Sequence, residues 1–96
     1  GISPAEANDA LQEILESTHN VRIDGFMTMA PFETAEDARP HFKALHELRD
    51  RLSSEVNHER FNPMELSMGM SNDYLVAVEE GATMVRIGNL IFGARL

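Results

Sequence analysis

Two stretches of this chain carry residue types suited to gripping an anion. Leu66-Ser67-Met68-Gly69-Met70-Ser71-Asn72-Asp73 and Val85-Arg86-Ile87-Gly88-Asn89-Leu90-Ile91-Phe92-Gly93 each read as an apolar, strand-like run that ends in small and hydrogen-bonding residues. Hydroxyls and uncovered backbone N–H groups at the rim of a parallel sheet are what a phosphate group requires. Ser71 stands where a strand gives way to a helix, so its hydroxyl and the first helical N–H groups can face one ligand. It is equally suited to capping that helix, and the two roles are compatible. Gly69 permits a backbone to approach closely. Ser67 shares its face by strand alternation, behind the direct contacts, while Leu66, Met68 and Met70 point the other way as packing residues. Gly88 and Asn89 offer further N–H groups, and a side chain at Gly88 would block the approach. Arg86 stands in an apolar run where a lone guanidinium is costly to bury. It needs either an anionic or accepting ligand, or a carboxylate such as Glu65 or Asp73.

Positioning these groups falls to a small scaffold. The 96 residues bound a single unit with one modest core. Sixteen acidic against eight basic residues give a net charge of −8, a field that repels nucleic acid and anionic lipid, so a bound anion must be held locally. Cysteine is absent, which removes disulfides, thiolate chemistry and sulfur-ligated zinc and fits an intracellular protein. No apolar run approaches the roughly 20 residues of a membrane span, and the first residues lack a signal peptide's pattern. The expected location is cytoplasmic.

Ser3-Pro4-Ala5-Glu6 has the form of a capping box, and Ala7, Leu11, Ile14 and Leu15 then share one face of a helix expected over Pro4 to Ser17. Val21 to Met29 reads as a strand that becomes more continuously apolar toward its end, as strands buried on both faces do. Pro31 ends it, and Phe32-Glu33-Thr34 forms a loop. Ala38, Phe42, Leu45, Leu48 and Leu52 make the apolar stripe of a second helix. It is expected from about Asp37 to Ser54, a start chosen so that Pro40 falls in the first turn. Glu55 to Pro63 reads as a polar connection and Glu65 to Met70 as a strand. Asp73 to Glu80 is a short helix closed by Gly81 in a left-handed cap, and Met84 to Gly88 is a last strand. A short apolar turn, Leu90 to Gly93, follows it. The order implies an α/β fold with an open three-stranded parallel sheet covered by helices and joined by right-handed crossovers. Such a sheet leaves long edges exposed, so the expected partners include either a preceding part of a larger fold or a second copy pairing at the edges.

Gly25-Phe26-Met27-Thr28-Met29, Ala38-Arg39-Pro40-His41-Phe42, Leu66-Ser67-Met68-Gly69-Met70-Ser71, Val85-Arg86-Ile87-Gly88 and Ile91-Phe92-Gly93-Ala94-Arg95 occur in this order along the chain. In these motifs the chain resembles the C-terminal part of the pyridoxal-phosphate homeostasis protein family, which is similar in fold to the N-terminal barrel domain of alanine racemase. The resemblance implies a (β/α)8 barrel of roughly 220–250 residues, with residues 1–96 supplying its last three strands and their helices as one unit. It implies binding of pyridoxal 5'-phosphate, a small phosphorylated ligand, in vitamin B6 and amino-acid homeostasis. The alternative is part of a pyridoxal-phosphate-dependent amino-acid racemase. Ser71 would be the phosphate-binding serine, and Arg86 would face the pyridine nitrogen. Asn89 stands where the family usually has threonine, so a hydroxyl contact there is lost, although asparagine still donates hydrogen bonds.

Covalent attachment of that cofactor requires a lysine amine, and the one lysine, Lys43, falls on the polar side of the second helix. Noncovalent binding by this chain is therefore expected, with no catalytic residue of its own. His19, His41, His46 and His58 show no metal-ligand spacing and read as surface or loop residues. Tyr74, which a racemase would need opposite its lysine, reads as packing. The acidic runs Glu33 to Asp37 and Glu79-Glu80 read as solvated helix-end charges.

Overall fold

The computed structural model describes residues 1–31 and 34–93, in the order α1 (Ala7–Ser17), β1 (Ile23–Met27), α2 (Ala35–Glu55), β2 (Phe61–Ser67), α3 (Tyr74–Glu79) and α4 (Asn89–Phe92). The loop expected at Phe32 and Glu33, and Ala94 and Arg95 of the last motif, lie outside the described residues. Pro4–Glu6 forms a 3₁₀ turn ahead of α1, and Ser3 serves it through its carbonyl, which accepts from the Glu6 N–H at 3.0 Å. The expected side-chain capping box is not made. Ala7, Leu11 and Leu15 are the buried face of α1, while Ile14, expected with them, is 43% exposed.

β1 and β2 pair in parallel, with Gly25 beside Glu65, Phe26 beside Leu66 and Met27 beside Ser67. β2 begins at Phe61, four residues earlier than expected, because its start is set by partners distant in sequence. Phe61 is buried edge-on against Phe26, with ring centroids 6.1 Å apart. The register slips between Ile23 and Gly25, which stand opposite Phe61 and Glu65. Pro63 lies in the slipped stretch, where its missing N–H costs no ladder bond. Arg49 of α2 donates to the carbonyls of Pro63 and Met64 there, each at 3.3 Å. At Gly25 the two strands come so close that a Cβ would collide with the Glu65 carbonyl oxygen.

α2 starts at Ala35, two residues before the expected point, so Pro40 lies within the helix. Thr34 explains the early start: its Oγ1 accepts from the Asp37 N–H at 3.2 Å. Proline then forfeits only the bond its N–H would have made to the Glu36 carbonyl. This long helix spans two apolar clusters. Leu52 and Val56 join Ala7, Leu11, Leu15 and Phe61 in one, and Ala38 and Phe42 join Leu66, Met68, Val76 and Ala77 in the other.

The third strand expected at Met84 to Gly88 is reduced to a single parallel bridge between Met84 and Ser67, and among the described residues the sheet has two strands. The segment nevertheless runs beside β2 as expected. Leu66 O accepts from the Thr83 N–H at 3.0 Å, Met84 O from the Met68 N–H at 3.0 Å, and Gly69 O from the Arg86 N–H at 2.8 Å. Two features stop a full ladder. The Thr83 hydroxyl takes the Leu66 N–H at 2.8 Å, and Gly69, at φ +110°, turns the chain away. The cap of α3 follows expectation: Gly81 has φ +103°, its N–H reaches Val78 O, and the Ala82 N–H reaches Ala77 O.

Charges expected to be solvated also join helices, Glu36 and Glu79 while staying mostly exposed and Glu80 while largely covered. Arg39 of α2 is bonded to Glu36, Glu79 and Glu80 at 2.7–2.9 Å, which ties α2 to α3. His46 Nδ1 lies 2.9 Å from Glu80 O and Nε2 lies 3.4 Å from Asp50, so this ring is part of the same junction. Arg60 caps the end of α1 through the carbonyls of Leu15 and Val21.

β1 is not buried on both faces. α2 covers one side of the sheet, whereas Met27 on the other is 60% exposed, and Met29 beyond the strand is 61% exposed. The chain accordingly exposes 6682 Å², against about 5500 Å² for a compact monomer of its mass.

Gly25→Ala should lower stability by about 2–3 kcal/mol, because the added methyl must push the strands apart; a fall in urea midpoint at unchanged slope is the readout. Hydrogen bonding to Arg39 holds the Glu36 carboxyl below its ordinary value of 4.5, so this stabilisation is present above that pH and lost as pH falls further. Arg39→Met should therefore flatten the acid-side decline of the melting temperature.

Candidate functional site at the carboxyl rim of the sheet

β1, β2 and the 83–86 segment all run in one direction, so their chain ends leave the sheet on the same side. Ser71 lies two residues beyond Gly69 and Gly88 two beyond Arg86, and Gly69 and Arg86 are joined by a backbone hydrogen bond. The two stretches that the sequence singles out therefore meet at one rim. Ligands of parallel α/β sheets sit at this carboxyl end, where backbone groups are free of the ladder.

Arg86 reaches past β2 and donates from Nη2 to the carbonyl of Thr28, just beyond β1, at 3.1 Å. Its Nε is buried and has no hydrogen-bond partner among the described residues. Neither Glu65 nor Asp73 pairs with it. Among the described residues Arg22, Arg39, Arg49 and Arg51 all meet carboxylates, while Arg60 spends its guanidinium on carbonyls. Arg86 thus keeps an unmet donor at the rim of a chain that carries an excess of acid. The Thr28 carbonyl was invisible as its partner in the sequence, because the contact spans 58 positions.

Ser71 is half-buried in the turn that precedes α3. Asp73, not Ser71, occupies the N-cap position of α3, and its side chain makes no cap hydrogen bond to the helix. Asp73 is 5% exposed, and its Oδ1 accepts from the Met70 N–H at 2.7 Å. The sequence offered Asp73 as the first residue of the short helix and as a possible partner for Arg86. Ser67 ends β2 on the uncovered face and, with Gly25, Met27, Glu65 and Met84, lines an open groove of about 310 Å³. Leu66 and Met68 point into the core as expected.

Gly69 does not share Ser67's face. A Cβ there would stand 2.8 Å from Ala77 Cβ and 3.2 Å from Val85, so the backbone that approaches Gly69 is the protein's own. At Gly88 the reverse holds. Among the described residues a Cβ would meet nothing within 4 Å, so none of them demands glycine there. Gly88 O accepts from the Ile91 and Phe92 N–H groups of α4. The side chain of Asn89 lies outside what is described. Lys43 is exposed on α2, and no group of His, Asp or Glu among the described residues could hold a metal ion. No helix among them is long and apolar enough to cross a membrane.

The family model for the alanine racemase N-terminal domain matches residues 1–96. A pyridoxal phosphate homeostasis protein of Aquifex aeolicus (strain VF5) is 48% identical over 96 residues, covering 99% of this chain and 40% of that protein. The protein of the same name from Homo sapiens is 38% identical over 97 residues, covering 99% of this chain and 35% of its own. Among solved structures, PipY of Synechococcus elongatus PCC7942 with pyridoxal phosphate bound has a TM-score of 0.83 and 35% identity, over 97% of this chain and 43% of PipY. PipY without the ligand has a TM-score of 0.84. The chain belongs to the alanine racemase N-terminal domain family and has that fold. It spans about two fifths of the length of the relatives it matches.

Arg86→Met should cost this chain no more than about 1.5 kcal/mol in the absence of ligand, since one hydrogen bond is lost while an unmet buried donor is also removed. Urea unfolding of the two chains side by side is the check.

Proposed function

We propose that this chain binds pyridoxal 5'-phosphate noncovalently at the carboxyl rim of its sheet. In this reading Ser71 and the backbone of Gly88 and Asn89 hold the phosphate, and Arg86 turns its guanidinium toward the pyridine nitrogen. Ser67 supports the site from the groove. Gly69 acts through the turn it permits. The observation that carries the reading is the buried, unmet donor of Arg86 at the rim, and the open space at Gly88 fits an approaching ligand. The relatives' names and the pyridoxal phosphate bound in PipY support the same ligand.

When bound, pyridoxal phosphate supplies an aldehyde and an electron-accepting ring. The Arg86 guanidinium presents a donor to the ring nitrogen and favours that nitrogen's unprotonated form. A ring held in that form is a weaker electron sink, which suits holding the cofactor better than broad carbanion chemistry. Lys43 is remote from the rim segments in sequence, and neither segment holds a lysine for covalent attachment.

The chain, in this reading, is the C-terminal portion of a barrel that acts in cytoplasmic vitamin B6 and amino-acid homeostasis. Its uncovered sheet face is closed by the N-terminal part of that barrel or by a second copy.

Titration with pyridoxal phosphate should shift or broaden the ligand's phosphorus NMR signal at millimolar concentration. An unchanged signal rejects binding by this chain. Ser71→Ala should weaken the response by about tenfold, the worth of one hydrogen bond to a charged group.

A further inference from the structure

Asp73 is the one charged residue fully buried among the described residues, at 5% exposure, and the phosphate reading leaves it without a task. Its placement is specific. Oδ1 accepts from the Met70 N–H at 2.7 Å, while its own N–H donates to Met70 O at 3.1 Å. Two hydrogen bonds thus join the same pair of residues and close the turn 70–73 at both ends. Asp73 O also accepts from the Ala77 N–H at 3.0 Å, which couples that turn to α3. Gly69, at φ +110° and closely packed on Ala77, precedes the turn, so the chain is restrained on either side of Ser71.

We infer that Asp73 is a positioning residue: its carboxylate holds the turn that presents Ser71 and so sets phosphate affinity without touching the ligand. The inference rests on the pyridoxal-phosphate reading above. Burying a carboxylate is expensive unless its oxygens are satisfied, and here one is spent on a single backbone N–H at the turn. The charge itself is no help to a dianion bound two residues away. What matters is an accepting oxygen at this place, which asparagine also provides.

The test compares Asp73→Ala and Asp73→Asn with the unaltered chain by two readouts. Amide exchange is measured without ligand at Met70 and Ser71, and phosphorus NMR titration with pyridoxal phosphate follows. Asp73→Ala should speed exchange and weaken binding, each by about tenfold, as expected for one charge-assisted hydrogen bond. Asp73→Asn should leave exchange within about twofold and bind at least as tightly, since it keeps the acceptor and removes the repelling charge. Unchanged exchange in Asp73→Ala overturns the inference, as does faster exchange with unchanged affinity. Weak binding by Asp73→Asn with exchange preserved also overturns it. If the unaltered chain gives no phosphorus response, the phosphate reading fails and positioning of a ligand fails with it. The exchange comparison then separately decides whether Asp73 holds the turn.

Discussion

The short run of backbone hydrogen bonds between residues 66–69 and 83–86 is the constraint on which the rim depends. It brings two segments separated by a helix into parallel alignment and sends both chain ends off the same side of the sheet. Without it, Ser71 and Gly88 would be unrelated features of two loops. The run is held by more than backbone. The Thr83 hydroxyl accepts from Leu66 N–H and donates to the Glu65 carboxylate, so one side chain locks the junction from both sides. The same hydroxyl displaces a ladder bond, which is why a segment with the direction of a strand shows only one bridge.

Arginine does much of the joining in this acidic chain. Arg39 draws three carboxylates together and fastens α3 to α2. Arg49 serves carbonyls freed where the β2 register slips, and Arg60 ends α1. These guanidiniums are satisfied within the fold. Arg86 differs because its Nε is enclosed yet unmet while Nη2 bonds only a carbonyl. A donor in that state is a cost to the chain by itself, and an accepting atom at the rim would remove the cost. In the proposed site, the chemistry of the ligand and the energetics of the fold would meet at this residue.

The uncovered side of the sheet has a related logic. A parallel pair normally has both faces buried, yet here α2 covers one face while Met27 and the neighbouring Met84 stay exposed on the other. Closure by further strands of a barrel or by another subunit would bury this surface. Either arrangement would also wall the groove beside Ser67 and exclude water from the rim, strengthening polar contacts there.

Local chemistry was legible from the residues alone. Helical periodicity marked the buried stripes of α1 and α2, Gly81 marked the end of α3, and the alternation of Leu66 and Met68 against Ser67 placed the core side of β2. The family was legible too, because its motifs are contiguous words. What needed three dimensions was every relation between distant segments. The start of β2 follows from Phe61 packing on Phe26, the reason for Gly69 is Ala77 behind it, and Glu79 and Glu80 became partners of Arg39 only once α3 lay against α2. Arg86 shows the division most clearly. Sequence reasoning established that such a residue requires a partner, since an isolated buried cation is unfavourable. Only the tertiary structure decided that the carboxylates available nearby do not supply it, because direction and distance, unlike residue type, are set by how the elements assemble.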